Sequence, residues 1–416
     1  MYKYQTQREN MAVTIEEALE FIYKNTIPTS LKIMPLENAL GSVLAEDIVA
    51  SYNLPPYDNS AMDGYAIKME DAAKSVSVMQ TIFAGENSDA VLESGCAIKI
   101  MTGAKIPEGC EAIIPIEDVT HQDGKIVLPQ NIKKNSHIRF CGEDIKSGTT
   151  LLHCGQKLYA HHITLLASQG ISHIKVHKKP RVAIFASGDE LKMYFESVAA
   201  HQLYNTNSPT FFSRVQELGC DVDFIGTAND SLQSIQEHIK SALQSDLIIT
   251  SGGVSVGDAD FTKEAFGAFG YEIFFDKVEI KPGKPTTFGR IGKTLVLNLP
   301  GNPMAAALNF ELFGQSIILA LSGDVAKYLA PIEIKMANDY TLKGGRRSVI
   351  PGYFNGMTFA PYDKFAPGMI TPLANSNAFM IIDSSCEIFQ KGESVKIVPT
   401  RFSFTSSSRV DLVNTK

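Results

Sequence analysis

The stretch SGGVSVGDAD, residues 251–260, decides the fold of this chain. It follows the apolar run DLIIT (246–250), which is typical of a buried strand, and precedes FTKEAF (261–266), which is typical of a helix. Its glycines, Gly252, Gly253 and Gly257, let the backbone approach a ligand closely. The stretch therefore predicts a strand-to-helix turn that binds an anion through backbone N–H groups and the following helix dipole.

Carboxylates follow the same turn. Asp258 and Asp260 lie where the helix begins, beside the predicted anion site. Mg²⁺ prefers a few carboxylate oxygens together with substrate phosphate and water. The pattern therefore predicts a magnesium-assisted phosphate site.

Two other motifs overlap this region and predict different chemistry. The segment GVSVG (253–257) matches a hydrolase nucleophile elbow, but that triad needs a histidine after the serine, and all nine histidines precede Ser255. The segment GKT (292–294) resembles the end of a Walker A loop, but position 287 is Thr287, not glycine, and a strand-like run, LVLNL, follows. Both alternatives are therefore disfavoured.

Composition limits the class of protein. The chain has 416 residues, 44% hydrophobic and 20% charged, which suits a soluble protein of about two to four domains. Its net charge of −7 argues against non-specific nucleic-acid binding. The six scattered cysteines form no C-x-x-C pair, which predicts reduced thiols in the cytoplasm. We see no apolar leader and no run of transmembrane length, so the sequence predicts no membrane segment.

The first part of the chain predicts one helix and a small β module. Thr14 and Glu17 form a capping box for an amphipathic helix over 14–24. Residues 53–66 predict an ordered polar loop that is neither strand nor helix, and 76–140 predict short strands separated by glycines.

From Pro180 onward, strands and helices alternate, which predicts a parallel sheet with helices on both faces. Ser208 and Pro209 predict the start of one helix, and Asn302 and Pro303 that of a long apolar one. Ligands bind at the carboxyl ends of such strands, so one sheet edge should collect five acids: Asp189, Glu190, Asp230, Asp258 and Asp260.

A basic loop lies between two later strands. Lys281 and Lys284 are held in KPGKP (281–285), and Lys277 precedes them. Lysines in a stiff loop can bind phosphate or another oxyanion, whereas the simpler interpretation is a solvated turn. The nearby acidic edge favours the functional interpretation. After Ala330, short strands predict a second β domain.

Together these motifs resemble the molybdopterin molybdotransferase family, which includes MoeA and the E domain of gephyrin. The resemblance covers about residues 13–400. The motifs that carry it, in order, are PPYDNSAMDGYA (55–66), IMTGAKIPEG (100–109), CGED (141–144), ASGDEL (186–191), TSGGVSVGDADFTK (250–263), KPGKP (281–285) and LPGNP (299–303).

The resemblance implies an α/β multidomain fold. It has a central, mostly parallel α/β molybdopterin-binding domain (13–25 with 178–326), an elongated linker (26–47 with 145–177), an inserted small β domain (48–144) and a C-terminal β-barrel-like domain (328–400). It further implies a cytoplasmic homodimer in which the inserted domain of one subunit completes the site of the other. A molybdopterin adenylyltransferase and molybdoenzyme-maturation proteins are candidate partners; nucleic acid and membrane are not.

The implied reaction inserts molybdate into adenylylated molybdopterin and releases AMP, with Mg²⁺ as cofactor. The residues that the resemblance places in the catalytic site are Asp63, Thr102, Asp144, Glu190, Asp230 and Asp260, with Glu190, Asp230 and Asp260 as Mg²⁺ ligands. Those that it places against substrate are Ser251, Gly252, Gly253, Ser255, Gly257, Lys277, Lys281, Lys284, Pro300 and Pro303.

Two C-terminal stretches depart from the family. Where it has G-R-x-x-F-x-R-G, this chain has Pro351 in place of the second arginine, and Arg347 is a candidate substitute. A G-S-H-like turn is changed to PGMI at 367–370. The altered motif suggests one alternative to the transferase, an inactive molybdopterin-binding paralogue. Two others remain on separate grounds: a molybdopterin adenylyltransferase, which the chain length disfavours, and a scaffold.

Overall fold

The structure is a computed structural model. It describes residues 12–86, 89–252, 259–342, 345–386 and 388–401, and only the backbone of residues 259–261.

Helices and strands are numbered in chain order. The helices are α1 (Ile15–Asn25), α2 (Ala160–Ser168), α3 (Asn207–Glu217), α4 (Leu232–Ala242), α5 (Ala259–Gly267), α6 (Pro303–Asn309), α7 (Gln315–Leu321) and α8 (Thr371–Asn375), with a π-helical turn, Phe310–Gly314, between α6 and α7. The strands are β1 (Leu31–Pro35), β2 (Ile48–Val49), β3 (Asn59–Ser60), β4 (Gly64–Ile67), β5 (Ser75–Ile82), β6 (Cys96–Ile100), β7 (Ala112–Pro115), β8 (Thr120–Gln122), β9 (Lys125–Val127), β10 (Ile138–Arg139), β11 (Thr150–Leu152), β12 (His173–His177), β13 (Arg181–Ser187), β14 (Leu191–Lys192), β15 (Leu203–Tyr204), β16 (Asp221–Ala228), β17 (Leu247–Ser251), β18 (Glu272–Phe275), β19 (Thr287–Ile291), β20 (Thr294–Leu299), β21 (Ile332–Met336), β22 (Tyr340–Thr341), β23 (Ser348–Phe354), β24 (Thr358–Pro361), β25 (Ala378–Ile382), β26 (Ile388–Phe389) and β27 (Ser394–Pro399).

The chain forms two compact units. The first comprises the described residues of Met1–Ala45, Gly155–Tyr159 and His173–Lys416, and the second those of Glu46–Cys154 and Ala160–Ser172. The chain therefore leaves and re-enters the first unit, as an inserted domain does.

A six-stranded sheet organises the first unit. Its order is β16-β13-β17-β20-β19-β18; the first four strands are parallel, and β19 and β18 are antiparallel to their neighbours. Alternate residues of β13 face opposite cores, since Ile184 packs in the cluster with α1, α3, α6 and α7, and Phe185 packs in the cluster with α4 and α5. The predicted mostly parallel sheet with helices on both faces is confirmed.

The order of this sheet places a ligand site. From β13 the chain goes outward to β16 and then returns to the other side of β13 as β17. This reversal is a topological switch point, and open α/β sheets bind ligands there, beyond the carboxyl ends of the strands. The stretch 251–260 begins at this point, at the last residue of β17.

The two other large sheets are mixed, since each combines antiparallel pairs with one parallel pair. In the first unit, β21-β24-β23-β25-β27 form a closed barrel, as the C-terminal prediction requires. The second unit contains the sheet β7-β4-β6-β5-β9-β8, with a buried cluster on each face. Both small β domains predicted from the sequence are therefore present.

Four local predictions need correction. Ser208 does not cap α3, because the helix begins at Asn207 and Asn205 Oδ1 accepts the Ser208 N–H instead. The segment 53–66 is not wholly loop, since it contains β3 and the fully buried strand β4. The strand β19 was not predicted: only a basic loop was expected between the strands that are now β18 and β20. Finally, the helical segment Pro303–Leu321 does have the length and apolarity of a membrane span, but 78% of it is buried in the fold, as expected of a core helix.

Candidate functional site

A cavity of about 890 Å³ lies at the carboxyl edge of the parallel sheet. Ser187 ends β13 and Ser251 ends β17, and both line it, so the cavity occupies the switch point. Its volume suits a nucleotide-sized ligand, since small-molecule sites measure roughly 300–1,000 Å³. Of the sequence-predicted site residues, it brings together Glu190, Asp230, Ser251, Gly252, Pro300 and Pro303.

The backbone of Gly252 approaches that of Ser187 closely, and both residues line the cavity. Gly252 has a φ of +97°, and a Cβ there would lie 2.3 Å from the carbonyl oxygen of Ser187. No other residue fits this position without moving one strand end. The buried Thr250 hydroxyl donates to Asn298 Oδ1 (2.7 Å), which joins β17 to β20 just below the cavity. Glycine thus permits the close approach of the strand ends, and one buried side-chain hydrogen bond adds to the backbone pairing of β17 with β20.

Two carboxylates line the cavity. Glu190 follows β13 and Asp230 follows β16, and both side chains are exposed. The Asp230 N–H donates to Asp189 Oδ1 (3.0 Å), which fixes the turn before α4, and the Ser231 side chain caps that helix by accepting from the Ser234 N–H. The ends of β13 and β16 thus bring three of the five predicted acids together, Asp189, Glu190 and Asp230, whereas Asp258 and the Asp260 side chain lie outside the described residues.

The donor set suits Mg²⁺. In the part of the chain that the structure describes, no group of three or more His, Cys, Asp or Glu side chains could hold a metal ion. Mg²⁺ needs fewer, because it is usually bound by one or two carboxylates plus substrate phosphates and water. A Cβ at Gly188 would lie 2.8 Å from both carboxylate oxygens of Glu190, so the glycine leaves room for that carboxylate over the turn. Glu190 and Asp230 therefore fit the ion.

The basic loop lies beside the cavity. Pro285 lines it, whereas the predicted oxyanion ligands Lys277, Lys281 and Lys284 are not among the lining residues. Lys281 and Lys284 are exposed and Lys277 is half-buried. The structure thus places the loop at the cavity wall but does not bring the lysine side chains into it.

The cavity has a further wall that was not predicted from the sequence. Leu191, Leu203 and Tyr204 line the cavity on a segment whose two ends pair as β14 and β15. The Leu203 N–H donates to the Glu190 carbonyl (2.8 Å), and the Tyr204 hydroxyl donates to the Glu196 carbonyl (3.2 Å). The polar run 205–207 at the start of α3 also lines the cavity, and it was the available signal of this wall.

The second unit contains the other predicted catalytic residues. Thr102 donates to Asp63 Oδ1 through both its N–H and its hydroxyl, each at 2.7 Å. These donors, the backbone N–H first, hold the pKa of the Asp63 carboxyl below its usual value. Asp144 is exposed, and its N–H donates to the Leu54 carbonyl (3.1 Å). The structure thus joins Asp63 to Thr102 by direct contact.

Some predicted site residues cannot be placed against the cavity. Gly253, Ser255 and Gly257 lie outside the described residues, as does Asp258. Asp260 lies in the first turn of α5, but its side chain is not described. The predicted strand before this stretch and the helix after it are confirmed as β17 and α5.

The two altered C-terminal stretches differ in position. Ile370 and Gly368 of the PGMI turn line the cavity, so an apolar side chain stands in that wall. Pro351 lies within β23. Arg347, the candidate substitute for the missing arginine, pairs with Glu16 and Asp383.

Comparisons with known proteins agree over most of the chain, from residue 13 to residue 400. Residues 13–170 match the family described as MoeA N-terminal region (domain I and II), residues 183–320 a probable molybdopterin binding domain, and residues 333–400 the MoeA C-terminal region (domain IV).

Individual relatives cover nearly all of both chains. A molybdopterin molybdenumtransferase of Haemophilus influenzae is 35% identical over 89% of this chain and 94% of its own length, and one of Staphylococcus aureus (strain COL) is 30% identical over 93% and 96%. A crystal structure of a molybdopterin biosynthesis MoeA protein from Pyrococcus horikoshii OT3 superposes with a TM-score of 0.81 at 28% identity, covering 94% of this chain and all of that one. A cavity at the switch point of the molybdopterin-binding domain, matches to all three family regions and relatives of this identity and coverage lead to one conclusion: the chain belongs to the MoeA family of molybdopterin molybdenumtransferases.

Proposed function

We propose that this chain inserts molybdate into adenylylated molybdopterin and releases AMP, as a transferase of molybdenum cofactor biosynthesis. The observation that carries the proposal is the cavity at the switch point, with carboxylates at its strand ends and a basic loop in its wall. An adenylylated pterin presents a pyrophosphate link between two ring systems. A site of this size and mixed character suits such a molecule.

The carboxylate side of the cavity would hold Mg²⁺ through Glu190 and Asp230, with Asp260 as the third ligand that the family resemblance assigns. When bound, the ion neutralises charge on the pyrophosphate that is cleaved. The chain's own residues bind and orient the substrate. The backbone around Ser251 and Gly252 lets a phosphate approach closely, and Pro300 and Pro303 shape the rim ahead of α6.

The lysine loop would bind the oxyanion. Lys277, Lys281 and Lys284 carry positive charge beside a cavity whose described charged lining residues, Glu190 and Asp230, are acidic. Molybdate is a dianion, so it needs such a local basic cluster in a chain of net charge −7. The loop therefore supplies the charge for the second substrate.

We further propose a cytoplasmic homodimer in which Asp63, Thr102 and Asp144 act in the site of the other subunit. This part of the proposal rests on the family resemblance. The candidate partners, an adenylyltransferase that supplies the substrate and maturation proteins that accept the product, belong to it as well. Neither the inactive paralogue nor the scaffold is favoured, because the relatives from Haemophilus influenzae and Staphylococcus aureus are transferases that align over nearly their whole length.

The test is AMP release from adenylylated molybdopterin with Mg²⁺, with and without molybdate. We expect wild-type protein to release AMP only when molybdate is present, and Glu190→Gln to lower the rate by roughly 100-fold, because a neutral amide neither balances nor holds the cation well. Glu237→Gln on α4 is the matched control, since the Glu237 carboxylate accepts a hydrogen bond from Gln233 one turn earlier on the same helix. This variant should release AMP at the wild-type rate. Wild-type protein without molybdate-dependent release, or equal rates in the two variants, would contradict the proposal.

A further inference from the structure

One buried polar residue outside the cavity contacts the lysine loop. Asn309 ends α6, the helix whose first residue, Pro303, lines the cavity. Its side chain is completely buried, with 0% exposure. Its Nδ2 donates to the Ala305 carbonyl (2.7 Å) and to the Pro282 carbonyl (3.2 Å). A single amide thus links the helix behind the cavity to the turn between Lys281 and Lys284.

The contact is sterically close. Gly283 has a φ of +108°, and a Cβ there would lie only 1.7 Å from Asn309 Nδ2. The turn therefore packs directly on the amide, and only glycine permits it. A displacement of Asn309 would consequently shift the backbone that carries both lysines.

The rest of the loop is already held by other bonds. Lys281 is held by backbone hydrogen bonds to the two residues that flank Ser348, since its N–H donates to the Arg347 carbonyl and its carbonyl accepts from the Val349 N–H. The Lys284 carbonyl accepts from Val278 and Thr286 (both 2.9 Å). In the centre of the loop, the Thr286 hydroxyl donates to Gly283 (2.8 Å). Asn309 supplies the bond from the helix side, to the carbonyl of Pro282.

Two features indicate a functional role for this arrangement, and the first of them is a cost to stability. Asn309 Oδ1 is buried without a hydrogen-bond partner, and such an orphaned acceptor destabilises the fold. The π-helical turn Phe310–Gly314 begins directly after Asn309, and such turns occur frequently at functional sites. An apolar residue at this position would avoid the first cost.

We propose that Asn309 is a positioning residue for the oxyanion substrate: it sets the lysine loop against α6 and so places Lys281 and Lys284 for molybdate. The inference rests on the proposed function, because it takes the loop as the molybdate site. It assigns Asn309 no contact with substrate. Its loss should therefore weaken molybdate binding and leave the rate at saturating molybdate nearly unchanged.

The experiment compares Asn309→Ala with Ser316→Ala in the full-length protein. Ser316 is the matched control, because it is also completely buried and also donates to the carbonyl four residues earlier, Leu312. We measure molybdate binding by calorimetry, and KM and kcat in the AMP-release assay. We expect Asn309→Ala to raise both Kd and KM for molybdate roughly tenfold with kcat within about twofold, and Ser316→Ala to change neither.

A second variant approaches the contact from the other side. Gly283→Ala places a methyl group on Nδ2 and should also raise the molybdate KM. The double variant with Asn309→Ala removes that clash, so the two effects should be less than additive. If Asn309→Ala does not fold, the Gly283→Ala single variant still tests the inference.

The outcomes separate this inference from the proposed function. Wild-type protein that binds molybdate but releases no AMP would sink the proposed function, and calorimetry of the variants would still test Asn309. The inference is overturned if wild-type protein has no molybdate affinity, if the Asn309 and Ser316 variants behave alike, or if Asn309→Ala lowers kcat and leaves KM unchanged.

Discussion

At the scale of single residues, the contact between Asp63 and Thr102 stabilises the negative charge of the Asp63 carboxylate. Two donors from one threonine stabilise the ionised carboxylate, and its pKa is lowered. A group with a lowered folded-state pKa contributes stability above its unfolded pKa and loses that contribution as pH falls through the folded pKa. The contribution of Asp63 is therefore present at neutral pH and is lost only in acid, below about pH 4.

Thr102→Val tests this charge. The variant removes the hydroxyl donor and keeps the backbone N–H, so the pKa of Asp63 should rise toward its ordinary value. Carbon NMR of labelled aspartate across an acid titration would measure the shift. Thr120→Val, an exposed threonine on β8 of the same unit, is the control and should not move it. An unchanged Asp63 titration in Thr102→Val would show that the hydroxyl has no effect on the charge.

At the scale of elements, an ion pair joins α3 to the π-helical turn. Arg214 binds both carboxylate oxygens of Glu311, at 2.7 and 2.8 Å, and the two side chains are 18% and 12% exposed. Burial raises the pKa of Glu311, and the arginine opposes that effect. Glu311 lies two residues after Asn309, so the pair also secures the helix on which the lysine loop rests.

Arg214→Ala should lower the free energy of unfolding by about 3 kcal/mol, because it leaves a buried carboxylate without its partner. Urea unfolding at neutral pH would measure it. Arg181→Ala is the comparison, since Arg181 pairs with Asp223 at 2.9 Å on the surface and should contribute less than about 1 kcal/mol. The double variant Arg214→Met with Glu311→Leu should recover most of the loss, and a double variant as unstable as Arg214→Ala would contradict the explanation.

At the scale of the whole molecule, each compact unit has its own buried core. Ile249 is fully buried in the sheet of the first unit, and Ile98 is fully buried in that of the second. Units with separate cores commonly unfold in separate steps. We therefore expect urea unfolding of this chain to show more than one transition.

Ile98→Val and Ile249→Val test the separation. Each removes one buried methylene and should destabilise its own unit by about 1 kcal/mol. Hydrogen exchange followed by mass spectrometry reports on both units in one sample. Ile98→Val should speed exchange in 46–154, and Ile249→Val in the parallel sheet. A uniform change throughout the chain in both variants would argue for a single cooperative unit.

Local chemistry let the sequence determine much of this protein. Apolar runs of strand length with helices between them predicted the parallel sheet, and the capping box at Thr14 and Glu17 formed as predicted. The rule that ligands lie at strand carboxyl ends placed Glu190 and Asp230 in one cavity. These predictions succeeded because they depend on periodicity and on capping, which act over a few residues.

Only the tertiary structure decided the rest. The strand β19 was missed because its neighbours, β18 and β20, supply the pairing that makes it a strand. The apolar helix α6–α7 has the composition of a membrane span, and only its burial shows that it is a core helix. Asn309 gave no local signal, because its role depends on a proline carbonyl 27 residues away that folds against it. Contacts between distant parts of a chain are set by the close packing of side chains, and the spacing of residues along the sequence does not determine that packing.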